Sequence, residues 1–386
     1  MDISFILNHL GEDREHYFNA VAPPIIQSSN FCFKSVDNMR EAFKDELNTP
    51  IYTRGNNPTV AILRKKIAAL EQAEDALVFS SGSAAIASAI MSNAKSGDHI
   101  ICINSPYSWT NSLLNKYLVN YGVNTTMVDG TNINNFKKAI QPNTRVIYLE
   151  SPNSLTFELQ DIEAIAKLAI ENNITTIIDN SYSSPLNQNP ISMGIDLVVH
   201  SASKYLGGHS DVVAGVICGS KIRVEKIMAE EFMTFGGIVS AHDAWLIMRG
   251  LRTLELRVTR SSESAEKIVN HLENHPKILK VIYPFASNNL QLDLAKKQMK
   301  QGGGLFSVYI DAGSQEEIEN FCNTLQRFLM AVSWGGYESL ILPICAIPAF
   351  NVHSLPWNLV RFYIGLEDSD ALIEDIENAL KKIRPH

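Results

Sequence analysis

The sequence predicts an α/β protein on a mostly parallel sheet, followed by a smaller α+β domain. Three observations carry this. Short apolar runs such as His99–Asn104, Thr144–Glu150 and Ile174–Asp179 lack polar alternation, the pattern of strands buried on both faces. Stretches with helical spacing lie among them; Ile162, Ile165, Ala166 and Ala169 fall at i, i+3, i+4 and i+7. Of 386 residues 45% are hydrophobic and 19% charged, which supplies a large core and excludes wholesale disorder. At ~100–200 residues per domain the length implies two or three.

The elements follow in order. Residues 1–50 read as irregular, and the Pro pair in Ala22–Ser29 marks an extended arm. Leu63, Ile67 and Leu70 share a helical face. Ala76–Phe79 is a strand, then Ser80-Ser81-Gly82 opens an alanine-rich helix. A helix is predicted over 161–172 and a strand over Asp196–His200. Leu246–Arg257 reads as one long helix leading out of the first domain. Beyond it, Gly302–Ile310 is a strand. Ile318, Phe321, Cys322, Leu325 and Phe328 keep helical spacing, as do Ile373, Ile376, Leu380 and Ile383. The expected division is an arm over 1–53, a large α/β domain over 54–247 and a C-terminal α+β domain over 248–386.

Composition removes several functions. There are 41 acidic against 33 basic residues, net −8, with no long basic run, so nucleic acid is not an expected partner. The five cysteines are scattered and form no CxxC, which argues against a disulfide framework or a zinc knuckle. His209 has no second ligand at metal spacing and is expected to make a structural hydrogen bond; no metal is expected. The first fifteen residues carry acid rather than a basic leader, and no run of about 18 apolar residues occurs. The expectation is a cytoplasmic protein without a membrane partner.

Four places can carry chemistry. Ser80-Ser81-Gly82-Ser83 lies between a strand and a helix, where free N–H groups bind an anion or a serine simply caps the helix. Asp179 ends an apolar strand, the edge at which ligands of open α/β sheets bind; it pairs with a ligand nitrogen or caps the next turn. Lys204 follows a buried strand between Ser201, Ser203 and the pair Gly207-Gly208. Partial burial lowers an amine's pKa and suits it to attack a carbonyl, with the hydroxyls holding a phosphate beside it. Arg361 sits in the apolar segment Leu359–Leu366 and must face a carboxylate from protein or substrate.

Asp179, the block SASKYLGGHSD from Ser201 to Asp211, and the block LVRFYIGLED from Leu359 to Asp368 occur in an order that resembles the trans-sulfuration (Cys/Met metabolism) family of pyridoxal-phosphate enzymes. Tyr52-Thr53-Arg54, Phe79-Ser80-Ser81-Gly82, Glu150-Ser151-Pro152 and Arg249–Leu254 resemble further segments of that family, so the likeness spans nearly the whole chain. It implies an aspartate aminotransferase-like fold, PLP fold type I, and pyridoxal 5'-phosphate as cofactor. By resemblance Lys204 carries the cofactor and Asp179 faces its pyridine nitrogen, with Tyr107 stacked on the ring. Gly82, Ser83, Ser201 and Ser203 hold the phosphate, joined by Tyr52 and Arg54 from a neighbouring subunit. Arg361 takes the substrate α-carboxylate, with Ser333 and Trp334 beside it. The implied assembly is a homotetramer, a dimer of catalytic dimers. Asn153 and Ser154 depart from the family's usual residues there, as does Trp109.

The segment Glu150–Leu159 and SWGGYESL over Ser333–Leu340 are most like the family's bacterial cystathionine β-lyases. Val332 stands where the family's cystathionine γ-lyases and γ-synthases typically carry Glu, and Trp334 adds bulk to the same wall. The expected reaction is β-elimination of L-cystathionine to homocysteine, pyruvate and ammonia, a step of methionine biosynthesis. Thr234–Asp243 is more like the γ-acting members. The alternatives are therefore a cystathionine γ-lyase or γ-synthase, a methionine γ-lyase and, more distantly, a PLP aminotransferase.

Overall fold

The structure is a computed structural model and describes residues 1–347 and 355–384. A seven-stranded sheet comprises β1 (Asp75–Phe79), β2 (His99–Ile103), β3 (Asn124–Val128), β4 (Thr144–Glu150), β5 (Thr175–Asp179), β6 (Leu197–Ser201) and β7 (Gly215–Gly219). Its order is β1-β7-β6-β5-β4-β2-β3. All neighbours are parallel except β7, which runs antiparallel to β1 and β6. Every residue of β2 and β7 is buried, as strands covered by helices on both faces require. The carboxyl ends of β4, β5 and β6 lie side by side and open onto one edge.

A second sheet joins β8 (Ile278–Ile282), β9 (Leu305–Ile310), β10 (Leu329–Met330), β11 (Leu340–Pro343) and β12 (Leu359–Tyr363) in the order β10-β11-β12-β9-β8. Its core holds Phe306 stacked on Phe362 at 5.4 Å, with Phe321 and Phe328 edge-on to Phe362. The helices Leu254–Leu272, Gln315–Thr324 and Ser369–Leu380 supply its other apolar faces.

The long helix expected over Leu246–Arg257 is two helices, Ala241–Leu251 and Leu254–Leu272. The apolar spacing continues across the break, which is why periodicity alone runs them together. The break is stabilised by the Gly250 carbonyl, which accepts from Thr253 N at 3.1 Å, Thr253 Oγ1 at 3.2 Å and Arg257 at 2.8 Å. The arm is anchored through Glu12, buried between Lys66 at 3.0 Å and Arg252 at 3.5 Å. Phe18, Val21 and Val36 further along the arm stay exposed. Among the described residues no helix is long and apolar enough to cross a membrane, and no group of three His, Cys, Asp or Glu is placed to hold a metal.

Candidate active site

The site lies beyond the carboxyl ends of β4, β5 and β6. Lys204 follows β6 by one turn, with its backbone N–H donating to the Ser201 carbonyl at 3.1 Å. Its Nζ donates to Ser333 Oγ at 2.5 Å and lies 5.6 Å from the centre of the Trp334 ring. Among the described residues no acidic side chain pairs with it. Burial and the nearby Arg361 charge lower its pKa to about 8, partly offset by Asp179. The buried Lys66 makes the contrast. That amine is neutralised by Glu12 and two carbonyls, Ile6 and Leu7, at 3.0 and 3.1 Å. The two lysines thus differ: Lys66 is buried and paired with an acid, whereas the half-buried Lys204 is not.

The loop between β10 and β11 comes close to Lys204 because of Gly335. Its φ is +90°, and a Cβ there would stand 2.9 Å from Lys204 Cα and 2.8 Å from Tyr205 N. This brings Ser333 and Trp334 against the lysine. Trp334 is not an exposed wall of the site; it is 7% exposed and packs edge-on to Tyr205 at 5.4 Å. Val332, two positions before it, is 73% exposed.

Asp179 ends β5 and is buried, accepting from Ser181 N at 2.9 Å. In the register of β4 and β5 its partner is Glu150. Burial raises both carboxyls, but not equally. Asp179 is held back by the Ser181 hydrogen bonds and by the charges of His200 and Lys204. Glu150 is pushed up to about 8 by burial and by Asp179 itself. Glu150 therefore keeps its proton near neutrality, whereas Asp179 has neighbours that favour its charged form. Glu150 also accepts from Tyr107 N at 2.7 Å, which fixes the backbone of that half-exposed tyrosine at the head of the helix Ser108–Ser112.

Arg361, in β12, is 7% exposed. Its partners are two carbonyls, Ser154 O at 3.1 Å and Ser333 O at 3.3 Å, with no carboxylate among the described residues. Burial lowers its pKa to about 10. Ser154, whose carbonyl accepts from Arg361, also lies beside Glu150, where its N–H and hydroxyl favour the charged carboxylate. Asn153 is spent locally: its Oδ1 accepts from Leu155, Thr156 and Phe157 N at 2.8–3.1 Å. His209 makes the expected structural bond, Nδ1 to Gly207 O at 2.9 Å.

Ser81 caps the helix Gly82–Met91, accepting from Ala84 N at 3.1 Å. The N–H groups of Gly82 and Ser83 stand ahead of it in the first turn, where no intrahelical acceptor exists. A Cβ on Gly82 would lie 3.3 Å from Ser201 Oγ, so the helix start abuts the end of β6. Ser203 Oγ accepts from Ala214 N at 3.0 Å, leaving its proton only a long 3.3 Å contact to Ala214 O. Tyr52 and Arg54 lie apart from this group on the surface, with the guanidinium 5.5 Å over the tyrosine ring.

Sequence reasoning did not single out Glu150 as a site residue. The signal was present: the apolar run Thr144–Glu150 ends in a carboxyl as Ile174–Asp179 does, and adjacent parallel strands put the two ends together.

The residues present fit pyridoxal phosphate: a half-buried amine without an acid partner for its aldehyde, a buried carboxylate for its ring nitrogen, and helix-start N–H groups beside serine hydroxyls for its phosphate. This is the arrangement of a PLP fold type I enzyme. The family described as Cys/Met metabolism PLP-dependent enzyme matches residues 5–381, and the chain belongs to it. It is 38% identical over 383 residues to the L-methionine gamma-lyase of Fusobacterium nucleatum, covering 96% of this chain and 95% of that one. Identity to the cystathionine beta-lyase MetC of Bacillus subtilis is 32% over 377 residues, covering 95% and 93%. Among solved structures, metB from Corynebacterium glutamicum superposes with a TM-score of 0.92 at 35% identity, covering 99% of this chain and 98% of that one. The chain is accordingly a PLP-dependent enzyme of the Cys/Met lyase family.

Proposed function

We propose that the protein is a carbon–sulfur lyase that grips a sulfur amino acid by its α-carboxylate and expels the thiol from Cβ, giving homocysteine, pyruvate and ammonia from L-cystathionine. The observation that carries the substrate class is Arg361. A buried guanidinium with carbonyl partners alone is costly, and a substrate carboxylate completes it by a two-pronged bond. Bound pyridoxal phosphate supplies the electron sink that makes a Cα–H bond acidic. Lys204 takes that proton as a neutral amine and returns it to the departing sulfur, with Ser333 aiming its Nζ. Asp179 stays charged toward the cofactor ring, Glu150 fixes Tyr107 beside it, and Gly82, Ser83, Ser201 and Ser203 serve the phosphate. Tyr52 and Arg54, exposed on the single chain, reach the phosphate of a neighbour in a tetramer of catalytic dimers.

Cleavage at Cβ rests on Val332, an exposed apolar side chain beside Ser333 that offers no charge to a distal ammonium. A second reading, γ-elimination, is favoured by the higher identity to a methionine gamma-lyase than to a cystathionine beta-lyase. Methionine has no distal ammonium, so Val332 suits it as well. Supplying L-cystathionine and L-methionine separately tests the choice. Pyruvate from the first and no methanethiol from the second is the expected result. 2-Oxobutyrate from either would establish γ-elimination instead.

A further inference from the structure

Behind the site, on the other side of the same strand ends, lies a buried polar network that the chemistry above does not use. In a strand successive side chains alternate between faces. Glu150 and Asp179 point to the site, so the residues that follow, Ser151 and Asn180, begin the opposite side; His200 stands in the same relation before Ser201. Asn180 links the other two, sharing Glu71 with His200 and Gln188 with the Ser151 carbonyl. Glu71, just beyond the helix Pro58–Leu70, accepts from Asn180 Nδ2 at 2.9 Å and shares a 2.5 Å hydrogen bond with His200 Nε2. Gln188 Nε2 donates to Asn180 Oδ1 at 3.0 Å and to the Ser151 carbonyl at 2.8 Å, while its own carbonyl accepts from Asn180 at 2.9 Å. All five residues are at most 2% exposed. The strands around them are apolar, and apolar packing is non-directional, whereas hydrogen bonds fix position to fractions of an ångström.

We propose that Glu71 and His200 are positioning residues. With Asn180 and Gln188 they lock the ends of β4, β5 and β6 to one another from behind, so that Glu150, Asp179 and the Ser201–Lys204 turn meet the cofactor at fixed spacing. A carboxyl buried for packing alone would be replaceable by an apolar group; here one oxygen bridges two strands while the other, Oε2, has no hydrogen-bond partner, a cost kept in the interior. The inference rests on the reading of Asp179 and Lys204 given above.

The test is the affinity of the apoprotein for pyridoxal phosphate, followed by tryptophan fluorescence, beside the melting temperature of each apoprotein. The variants are Glu71→Gln, His200→Gln and Gln188→Ala, with Asp179→Ala as control. Gln188→Ala breaks the link between β4 and β5 without touching the Glu71–His200 pair. The proposal expects folded variants whose affinity for the cofactor falls about tenfold, the scale of a lost buried hydrogen bond to a charged group. Should Glu71→Gln or His200→Gln fail to fold, Gln188→Ala decides. Affinities within twofold of the parent, with the loss confined to melting temperature, would overturn it and leave the network a packing feature. If Asp179→Ala also leaves affinity unchanged, the failure lies in the site reading itself and the proposal falls with it.

Discussion

Glu150 and Asp179 are register partners at the ends of two parallel strands, both buried, and burial raises both carboxyls, Glu150 to about 8. Two like charges in an apolar setting repel strongly: Asp179, hydrogen-bonded by Ser181 and near Lys204, has the partners that favour a charge, and Glu150 keeps its proton near neutrality. The protonated partner then acts as a neutral brace between Tyr107 and Ser154.

This division has a pH signature. The Glu150 pKa is about 8 in the folded protein against an ordinary value of 4.5. The folded state binds the proton more tightly, so its contribution to stability is complete below about pH 4.5 and is lost as pH rises toward 8. The apoprotein's melting temperature should fall between pH 5 and 8 more steeply than that of Glu150→Gln. Parallel curves would show that Glu150 is already ionised.

Arg361→Ala should raise KM for amino-acid substrates and lower kcat/KM by about 10- to 100-fold, the range for a charged hydrogen-bonded pair. Pyridoxal phosphate should still attach at Lys204, because the Arg361 hydrogen bonds go to the Ser154 and Ser333 carbonyls, while loss of the guanidinium charge should move the Lys204 pKa up. An unchanged KM with a large loss of melting temperature would make Arg361 a structural member of the strand.

Lys204 should take up pyridoxal phosphate as a neutral amine. With its pKa lowered to about 8, the rate of attachment to apoprotein should rise with pH around a midpoint near 8. A rate still climbing toward pH 10 would mean an amine with ordinary solvation.

Arg54→Ala and Lys204→Ala should complement each other. Mixed and reassembled, the two inactive proteins should recover part of the activity, because hybrid assemblies contain sites with Lys204 from one chain and Arg54 from another. No recovery in demonstrably mixed oligomers would place each site within one chain.

Much of the architecture was legible because apolar strands buried on both faces stand out: Thr144–Glu150 was read to the residue, and Ile174–Asp179 and Asp196–His200 within one residue. β7 escaped notice, since Gly215–Gly219 is short and bounded by glycine, and only its pairing between β1 and β6 makes it a strand. β10, two exposed residues at a sheet edge, carries no periodicity at all. At the site, Asp179, Lys204 and Arg361 announced themselves as charges in apolar surroundings. What the chain order concealed were relationships between distant residues: Trp334 buried under Lys204, Ser154 beside both Glu150 and Arg361, and Asn153 turned into its own loop. Each depends on which loops meet over the strand ends, and spacing along the chain does not encode that.

The central claim is that Lys204, half-buried and without an acid partner among the described residues, is the lysine that holds the cofactor. Borohydride reduction of the pyridoxal-phosphate-loaded protein, digestion and mass spectrometry test it directly. The account predicts a pyridoxyl group on the peptide containing Lys204 and none on that containing Lys66, whose amine is paired with Glu12. A label on Lys66 or any other lysine, with Lys204 unmodified, would contradict it.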